Sequence, residues 1–168
     1  MKEGMKTMMA SDAVAESGTT EKILEIFTDG ACKGNPGVGG WGAYLRYGDA
    51  EKKLSGAEAF TTNNKMELRA AIEALKAVKR PCKIVITTDS SYVKQGINGW
   101  IFKWKANNWQ TSNKQPVKNV ELWQELDALC SRLRPHWRWV KGHSGHPGNE
   151  TADALANQAI AALKTQGG

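Results

Sequence analysis

Three observations predict an α/β fold for this 168-residue chain. Two apolar, β-branched runs, Ile23–Thr28 and Ile84–Thr88, each lead into an aspartate, Asp29 and Asp89. A segment of helical period lies between them. Near-continuous apolar runs of this kind suit strands covered on both faces, as in a parallel sheet. A strand, a helix and a second parallel strand form a crossover, which is almost always right-handed. Both aspartates then emerge together at the carboxyl ends of neighbouring strands, where open α/β sheets hold ligands. Asp is also a common turn residue after any strand, so the pair, rather than either residue alone, points to a site.

Residues 1–20 mix Lys, Met, Ala, Ser and Gly without a periodic apolar pattern, and are read as a flexible tail. The first strand begins near Ile23 and ends at Asp29, where a glycine-rich turn redirects the backbone. Gly37-Val-Gly39-Gly40-Trp41-Gly42 matches the dinucleotide-binding spacing G-x-G-x-x-G. That motif requires a helix to follow directly. Here Trp41–Tyr47 has the aromatic character of a strand and leads into Gly48-Asp49, a hairpin signal, so a Rossmann site is excluded. A third strand from about Glu51 to Phe60 completes an antiparallel meander.

Thr61 to Asn64 is a run of cap residues, and the helix after it extends to about Lys79 with a stripe of Leu68, Ala71, Ile72, Leu75 and Val78. Glu67 borders that stripe one turn in. It either faces the sheet end that carries the aspartates or closes a capping box with Asn64. Arg80-Pro81 ends the helix and the Asp89 strand follows. Ser90 to Val120 contains no acidic residue but holds Lys94, Lys103, Lys105, Lys114 and Lys118, interleaved with Trp100, Trp104 and Trp109. A basic, aromatic stretch suits a nucleic-acid backbone. Ile97, Trp100, Ile101 and Trp104 are at helical spacing, so the tryptophans read as packing and the lysines carry the signal. Asn119 precedes a helix with the stripe Leu122, Leu126, Leu129 and Leu133, stopped by Pro135. Trp137–Val140 is the last strand. The loop Lys141–Gly148 carries His143 and His146, spaced like zinc ligands but with no nearby cysteine; a proton-transfer role for a histidine in such a loop is the better fit. Asn149 caps an alanine-rich terminal helix with Asp153 in its first turn, where an acid also favours the helix dipole.

The totals narrow the class. The chain is one domain by length, assigned to residues 21–164 with a short tail at 165–168. Lys and Arg total 23 against 17 Asp and Glu, a net charge of +6 that favours a polyanionic partner. Three scattered cysteines, Cys32, Cys82 and Cys130, make neither a zinc pair nor a disulfide set, which points to a reducing, cytoplasmic setting. No apolar run approaches the ~20 residues of a membrane span. Asp29, Glu67, Asp89 and Asp153 together offer only oxygen ligands, the hard donor set that selects Mg²⁺ or Mn²⁺. Two such ions form the clamp used for in-line phosphoryl chemistry, so a nuclease is the reading of the residues themselves.

The matching blocks Ile26-Phe-Thr-Asp29-Gly30, Gly34-Asn-Pro-Gly37, Thr62-Asn-Asn-Lys-Met-Glu67-Leu68, Thr88-Asp-Ser90, Trp139-Val-Lys-Gly-His143, Gly145-His-Pro147, Asn149-Glu150 and Asp153 closely resemble bacterial-type ribonuclease H, type 1, over about Glu21 to Leu163. The resemblance implies a ribonuclease H-like fold: a mixed five-stranded sheet in order 3-2-1-4-5 with helices on both faces. It also implies endonucleolytic cleavage of the RNA strand of RNA–DNA hybrids, leaving 3′-hydroxyl and 5′-phosphate ends. By the same resemblance, Asp29, Glu67, Asp89 and Asp153 bind two Mg²⁺ ions, with Mn²⁺ as a substitute, and His143 assists proton transfer or product departure. Asn35, Asn63, Asn64 and Gln95 match residues that read the minor groove, where the 2′-hydroxyl marks RNA. Thr62 and Asn119 match a pocket for a DNA-strand phosphate. Ser90 adjoins the site, and Lys103, Lys105 and Lys114 belong to a basic protrusion. Phe60 departs from the family pattern, standing where several relatives place an arginine in the phosphate pocket; Lys65 is the nearby cation. A monomer with no obligate protein partner is expected. An integrase or resolvase on the same fold and a hybrid-binding module without catalysis are the rivals. The asparagine block and basic protrusion count against the former, and the presence of all four carboxylates counts against the latter.

Overall fold

The computed structural model describes residues 22–142 and 146–167. The tail assigned to residues 1–20 and the loop residue His143 lie outside the described residues. Five strands, β1 (Ile23–Lys33), β2 (Gly37–Tyr47), β3 (Ala50–Thr61), β4 (Lys83–Thr88) and β5 (His136–Trp139), form one sheet in the order β3-β2-β1-β4-β5. The β1–β2 and β2–β3 pairs are antiparallel, whereas β4 runs parallel to both β1 and β5. The expected mixed sheet and strand order are therefore present.

One boundary differs in a way that matters for the site. β1 does not end at Asp29 but continues to Lys33, because Gly30–Lys33 pair with Val38–Trp41 of the next strand. The parallel pairing with β4, however, stops at Phe27↔Thr87. Asp29 thus lies two residues beyond the last parallel pair on β1, and Asp89 lies two residues beyond it on β4. The two aspartates still meet at the carboxyl end, but the antiparallel partner holds Asp29 rather than a turn.

Helix α1 (Asn63–Lys76) covers one face of the sheet and α5 (Pro147–Gly167) the other. The glycines of β2 explain how. A Cβ on Gly39 would meet Met66 of α1 at 3.1 Å, and one on the next residue, Gly40, would meet the Ala156 carbonyl of α5 at 2.6 Å. Successive residues of a strand face opposite sides, so the G-x-G-x-x-G run provides close seats for two helices instead of a phosphate loop. Thr62 caps α1, its hydroxyl accepting from the Lys65 N–H at 3.2 Å. Asn64 is therefore inside the helix, and Glu67 is its fifth residue rather than part of a capping box. The helix stops at Lys76, a turn short of Lys79.

After β4 come α2 (Ser91–Gln95), a π-helical turn (Gly96–Trp100) and α3 (Ile101–Ala106). The wide turn accommodates the Trp123 indole, which lies against Gly96 at a distance that leaves no room for a Cβ. Trp123, fully buried in α4 (Val120–Leu133), packs with Tyr92 and Trp104, and Trp104 in turn with Trp100 and Trp109. The tryptophans are packing residues, as their spacing implies. Asn119 occupies the cap position of α4 in a left-handed conformation, but its amide makes no cap; it donates to the Tyr92 hydroxyl at 2.9 Å. The terminal helix begins at Pro147, two residues before the assigned cap Asn149, and runs past residue 164 to Gly167. Proline suits a first helical position because its missing N–H would be unpaired there anyway. Asp153 consequently sits in the second turn, where a helix-dipole explanation has little force.

Gly30 marks the tightest approach of α1 to the sheet: a Cβ there would stand 2.5 Å from the Glu67 nitrogen and 2.6 Å from the Met66 carbonyl carbon. Gly30→Ala is expected to lower stability by ~1–3 kcal/mol through overpacking, measured by urea unfolding. The added methyl also forces the backbone of Glu67 to move away from the strand.

Candidate active site

Asp29, Glu67 and Asp89 converge at the sheet end. Each offers a carboxylate oxygen, and those oxygens all lie within 4.8 Å of one another. Three elements achieve this. The Phe27↔Thr87 register aligns Asp29 with Asp89. The missing side chain at Gly30 lets Glu67 descend onto them. Asp153 arrives from the other face: Asp29 pairs with Gly42, and a Cβ on Gly42 would meet the Ala152 carbonyl at 2.3 Å. The fourth carboxylate is thus set beside Asp29, close enough for a hydrogen bond between the two side chains.

Such crowding has an electrostatic signature. Burial, then the hydrogen bond to Asp153 and the charges of Asp89 and Asp153, raise the Asp29 carboxyl to about 8. Burial, followed by the charges of Asp29 and Asp89, holds Glu67 well above the ordinary carboxylate range. The Gly30 N–H offsets both effects in part. Glu67 is only 8% exposed, and its Oε1 has no hydrogen-bond partner among the described residues. A buried acceptor left unpaired carries a desolvation penalty that a cation would remove. The donor set therefore fits hard divalent ions, with Asp29, Glu67, Asp89 and Asp153 as the residues that would hold them.

Around this centre the other sequence-assigned residues are distributed unevenly. Asn35 and α1 are tied together, since Asn35 Oδ1 accepts from the Asn63 N–H at 3.1 Å, and Asn64 follows in the same turn. Gln95 donates to Ser91 Oγ at 3.0 Å and is exposed. Ser90 is buried beside Asp89, with its hydroxyl capping α2 through the Val93 N–H at 3.1 Å. Thr62 serves as the cap already described. Asn119 lines a 460 Å³ hollow with Lys65 and Arg69, while Phe60 is 76% exposed. Lys103 and Lys114 are exposed on the protrusion, but Lys105 pairs with Asp127 of α4 at 3.3 Å. The acid-free segment is thus partly neutralised by an acid outside it.

His146, the other histidine of the loop, packs its ring 5.1 Å from Phe27 and accepts the Gly148 N–H at Nδ1. Two participants escaped sequence reasoning. Gly30 carries Glu67, and Gly142 approaches the site so closely that a Cβ would stand 2.9 Å from Asp89 Oδ2. Glycines next to Asp29 and in the His143 loop were the available signal. Nothing in the sequence separated their steric role from ordinary turn chemistry.

A mixed five-stranded sheet with an inward-facing acidic cluster at its carboxyl end and a cationic helical arm beside it defines a hydrolase built for a polyanionic substrate. A model of the RNase H family matches residues 21–161. A ribonuclease H of Dichelobacter nodosus is 65% identical over 142 residues, covering 84% of this chain and 95% of that protein. One of Nitrosococcus oceani is 62% identical over 139 residues, covering 83% and 95%. Among solved structures, LC9-RNase H1, described as a type 1 RNase H with the type 2 active-site motif, superposes with a TM-score of 0.75 at 31% identity, covering 85% of this chain and 74% of that one. The chain belongs to the bacterial type 1 ribonuclease H family, and is an enzyme of that class.

The raised carboxyls have a consequence for the metal-free protein. A folded-state pKa near 8 against an ordinary 3.8 means that the fold binds more protons than the unfolded chain between those values. Stability therefore falls as pH rises through that window. Asp29→Asn removes the penalty. In EDTA the variant should match wild type near pH 4 and exceed it near pH 8 by ~2 kcal/mol, less than the full linkage value because solvent partly screens the group. Urea melts at the two pH values measure this, and Mg²⁺ should narrow the gap by stabilising only the wild type.

Proposed function

We propose that this protein cleaves the RNA strand of RNA–DNA hybrids endonucleolytically, by two-metal-ion catalysis that leaves 3′-hydroxyl and 5′-phosphate ends. The observation that carries the reading is the unpartnered, buried Glu67 oxygen within reach of Asp29 and Asp89. Two Mg²⁺ ions held by these residues and Asp153, or Mn²⁺ in their place, would supply Lewis acidity to the attacking water and to the departing 3′ oxygen. The carboxylates hold the reacting region at the sheet end and keep its charge balanced. Asn35, Asn63 and Asn64 stand together, the Asn63 N–H bonded to Asn35 Oδ1, and their remaining amide groups suit the 2′-hydroxyls of the RNA strand. Ser90, the cap of α2, adjoins Asp89, and Gln95 is the last residue of that helix. Lys65, Thr62 and Asn119 bear on a phosphate of the DNA strand, and Lys103 and Lys114 extend the cationic track. His143, next in sequence to Gly142, assists the proton transfer or the departure of product.

Asp89→Asn keeps the shape of the site and removes a charge that balances the metals. Several kcal/mol of charge stabilisation depend on it, so single-turnover cleavage of a labelled hybrid should fall at least ~10³-fold while hybrid binding persists. Wild-type protein should leave duplex DNA intact in the same assay. Equal cleavage of both duplexes, or full activity in the variant, refutes the proposal.

The lysines separate by partner. Lys103→Ala with Lys114→Ala should raise KM, leave kcat nearly unchanged, and reduce the slope of log affinity against log salt by ~0.7–0.9 for each phosphate no longer neutralised. Lys105→Ala should have a smaller effect because its charge already answers Asp127. Salt titrations of hybrid affinity distinguish these outcomes.

A further inference from the structure

Helix α5 supplies more to the site than Asp153. Its backbone is fixed against the sheet, with the Ala152 and Ala156 carbonyls seated over Gly42 and Gly40 and both alanines fully buried. Asp153 and Asn157 each follow one of those alanines, so they stand one turn apart on a stretch of helix with little freedom to shift. The Asn157 side-chain amide donates to the Asp153 main-chain carbonyl at 2.9 Å and to Asp153 Oδ1 at 3.3 Å. Asp153 is exposed, and Asn157 is half-buried.

The bond to the carbonyl alone would be ordinary behaviour for an asparagine in a helix, where the side chain competes for main-chain partners. The shared bond to Oδ1 has a further consequence. Asp29, Glu67 and Asp89 bring their oxygens within 4.8 Å of one another, and Asp153 joins that trio through its hydrogen bond to Asp29. It is the outlying carboxylate, on an exposed side chain that is otherwise free to turn away. Among the described residues no cation pairs with it. A neutral amide limits the rotation of the carboxylate without cancelling the charge that a metal needs. Lysine or arginine at the same position would also hold the carboxylate, but would compete with the metal. Carboxylates that ligate metals are commonly fixed in this way by an outer hydrogen bond.

We propose that Asn157 is a positioning residue for Asp153: its amide holds the fourth carboxylate toward the acidic cluster, ready to complete the metal site. The inference rests on the two-metal reading above and adds to it a residue that acts through Asp153 and not on the reacting atoms. Position 157 is the middle of the 21-residue helix Pro147–Gly167. Asparagine is a poor helix former there, and its hold on Asp153 gives the choice a purpose.

The test is Mn²⁺ binding to the metal-free full chain without substrate, followed by the electron paramagnetic resonance signal of free Mn²⁺. The part of that binding lost in Asp153→Asn is the part that depends on Asp153. In Asn157→Ala it should weaken ~10-fold, the low end of the cost of removing such an outer hydrogen bond. Asn157→Gln, whose amide still reaches a carboxylate one turn away, should restore most of it. Single-turnover cleavage should show the same division: half-maximal Mg²⁺ rises in Asn157→Ala, while the rate at saturating Mg²⁺ approaches wild type. Thermal melting of Asn157→Ala in EDTA should not fall, because alanine is the better helix former. Equal Mn²⁺ binding by Asn157→Ala and wild type overturns the inference, as does a loss that Asn157→Gln leaves uncorrected. A lower melting temperature in EDTA also overturns it, assigning Asn157 to helix stability. If Asp153→Asn binds Mn²⁺ as wild type does, the assignment of Asp153 to the metals falls first, so the two failures are told apart.

Discussion

The site depends on one close contact, that of α1 with β1 at Gly30. With no side chain there, the helix backbone at Met66 and Glu67 lies against the strand. This brings the fifth residue of α1 down to a carboxylate that a strand alone could not reach. The same economy operates on the opposite face, where Gly40 and Gly42 let the carbonyls of Ala152 and Ala156 approach β2. Two helices from opposite sides thus deliver Glu67 and Asp153 to aspartates set by strand register. Packing this tight resists small displacements, because interiors near crystal density have little free volume to absorb them.

Bringing four acids to one place opposes folding, and the protein carries that opposition in its pKa values. Asp29 and Glu67 are both raised, chiefly by burial and then by neighbouring carboxylates. Such strain persists only where the surrounding structure holds it. Here the surroundings are a fully buried hydrophobic layer, with Ile26, Leu68, Ile72, Leu75 and Ile86 beneath the cluster and Trp123 anchoring the protrusion next to it. An acidic centre also repels the phosphates of its own substrate. The net charge of +6 supplies a long-range attraction that opposes this repulsion.

Charge in this molecule is sorted by position. Arg69, Lys76, Lys105, Arg46 and Arg138 are all engaged by acids on other elements. Among the described residues, Lys94, Lys103, Lys114 and Lys118 of the protrusion make no ion pair. A count of lysines along the chain cannot make that division. Lys105 lies in an acid-free segment and yet has an acid for a neighbour, because α4 folds back beside α3.

Much of this protein was determined by its sequence alone. Apolar runs ending in Asp29 and Asp89 and the helical stripe between them were enough for the parallel crossover, because backbone period and crossover handedness leave few alternatives. The full strand order and the carboxylate roles are implied only by the resemblance that the blocks around Asp29, Asn63 and Asp89 carry. Local signals also excluded a Rossmann site at Gly37–Gly42 and assigned the tryptophans to packing. Only the tertiary structure decided that β1 continues past Asp29, that Thr62 rather than Asn64 caps α1, that Asn119 bonds to Tyr92, and that Asp153 lies in the second turn of its helix. Each of these depends on a partner distant in sequence: β2 extends β1, and the Tyr92–Trp123 packing captures the Asn119 amide. Residues near in sequence limit what a segment can become, but long-range contacts choose among the forms it has left, and the acidic centre is made of such contacts.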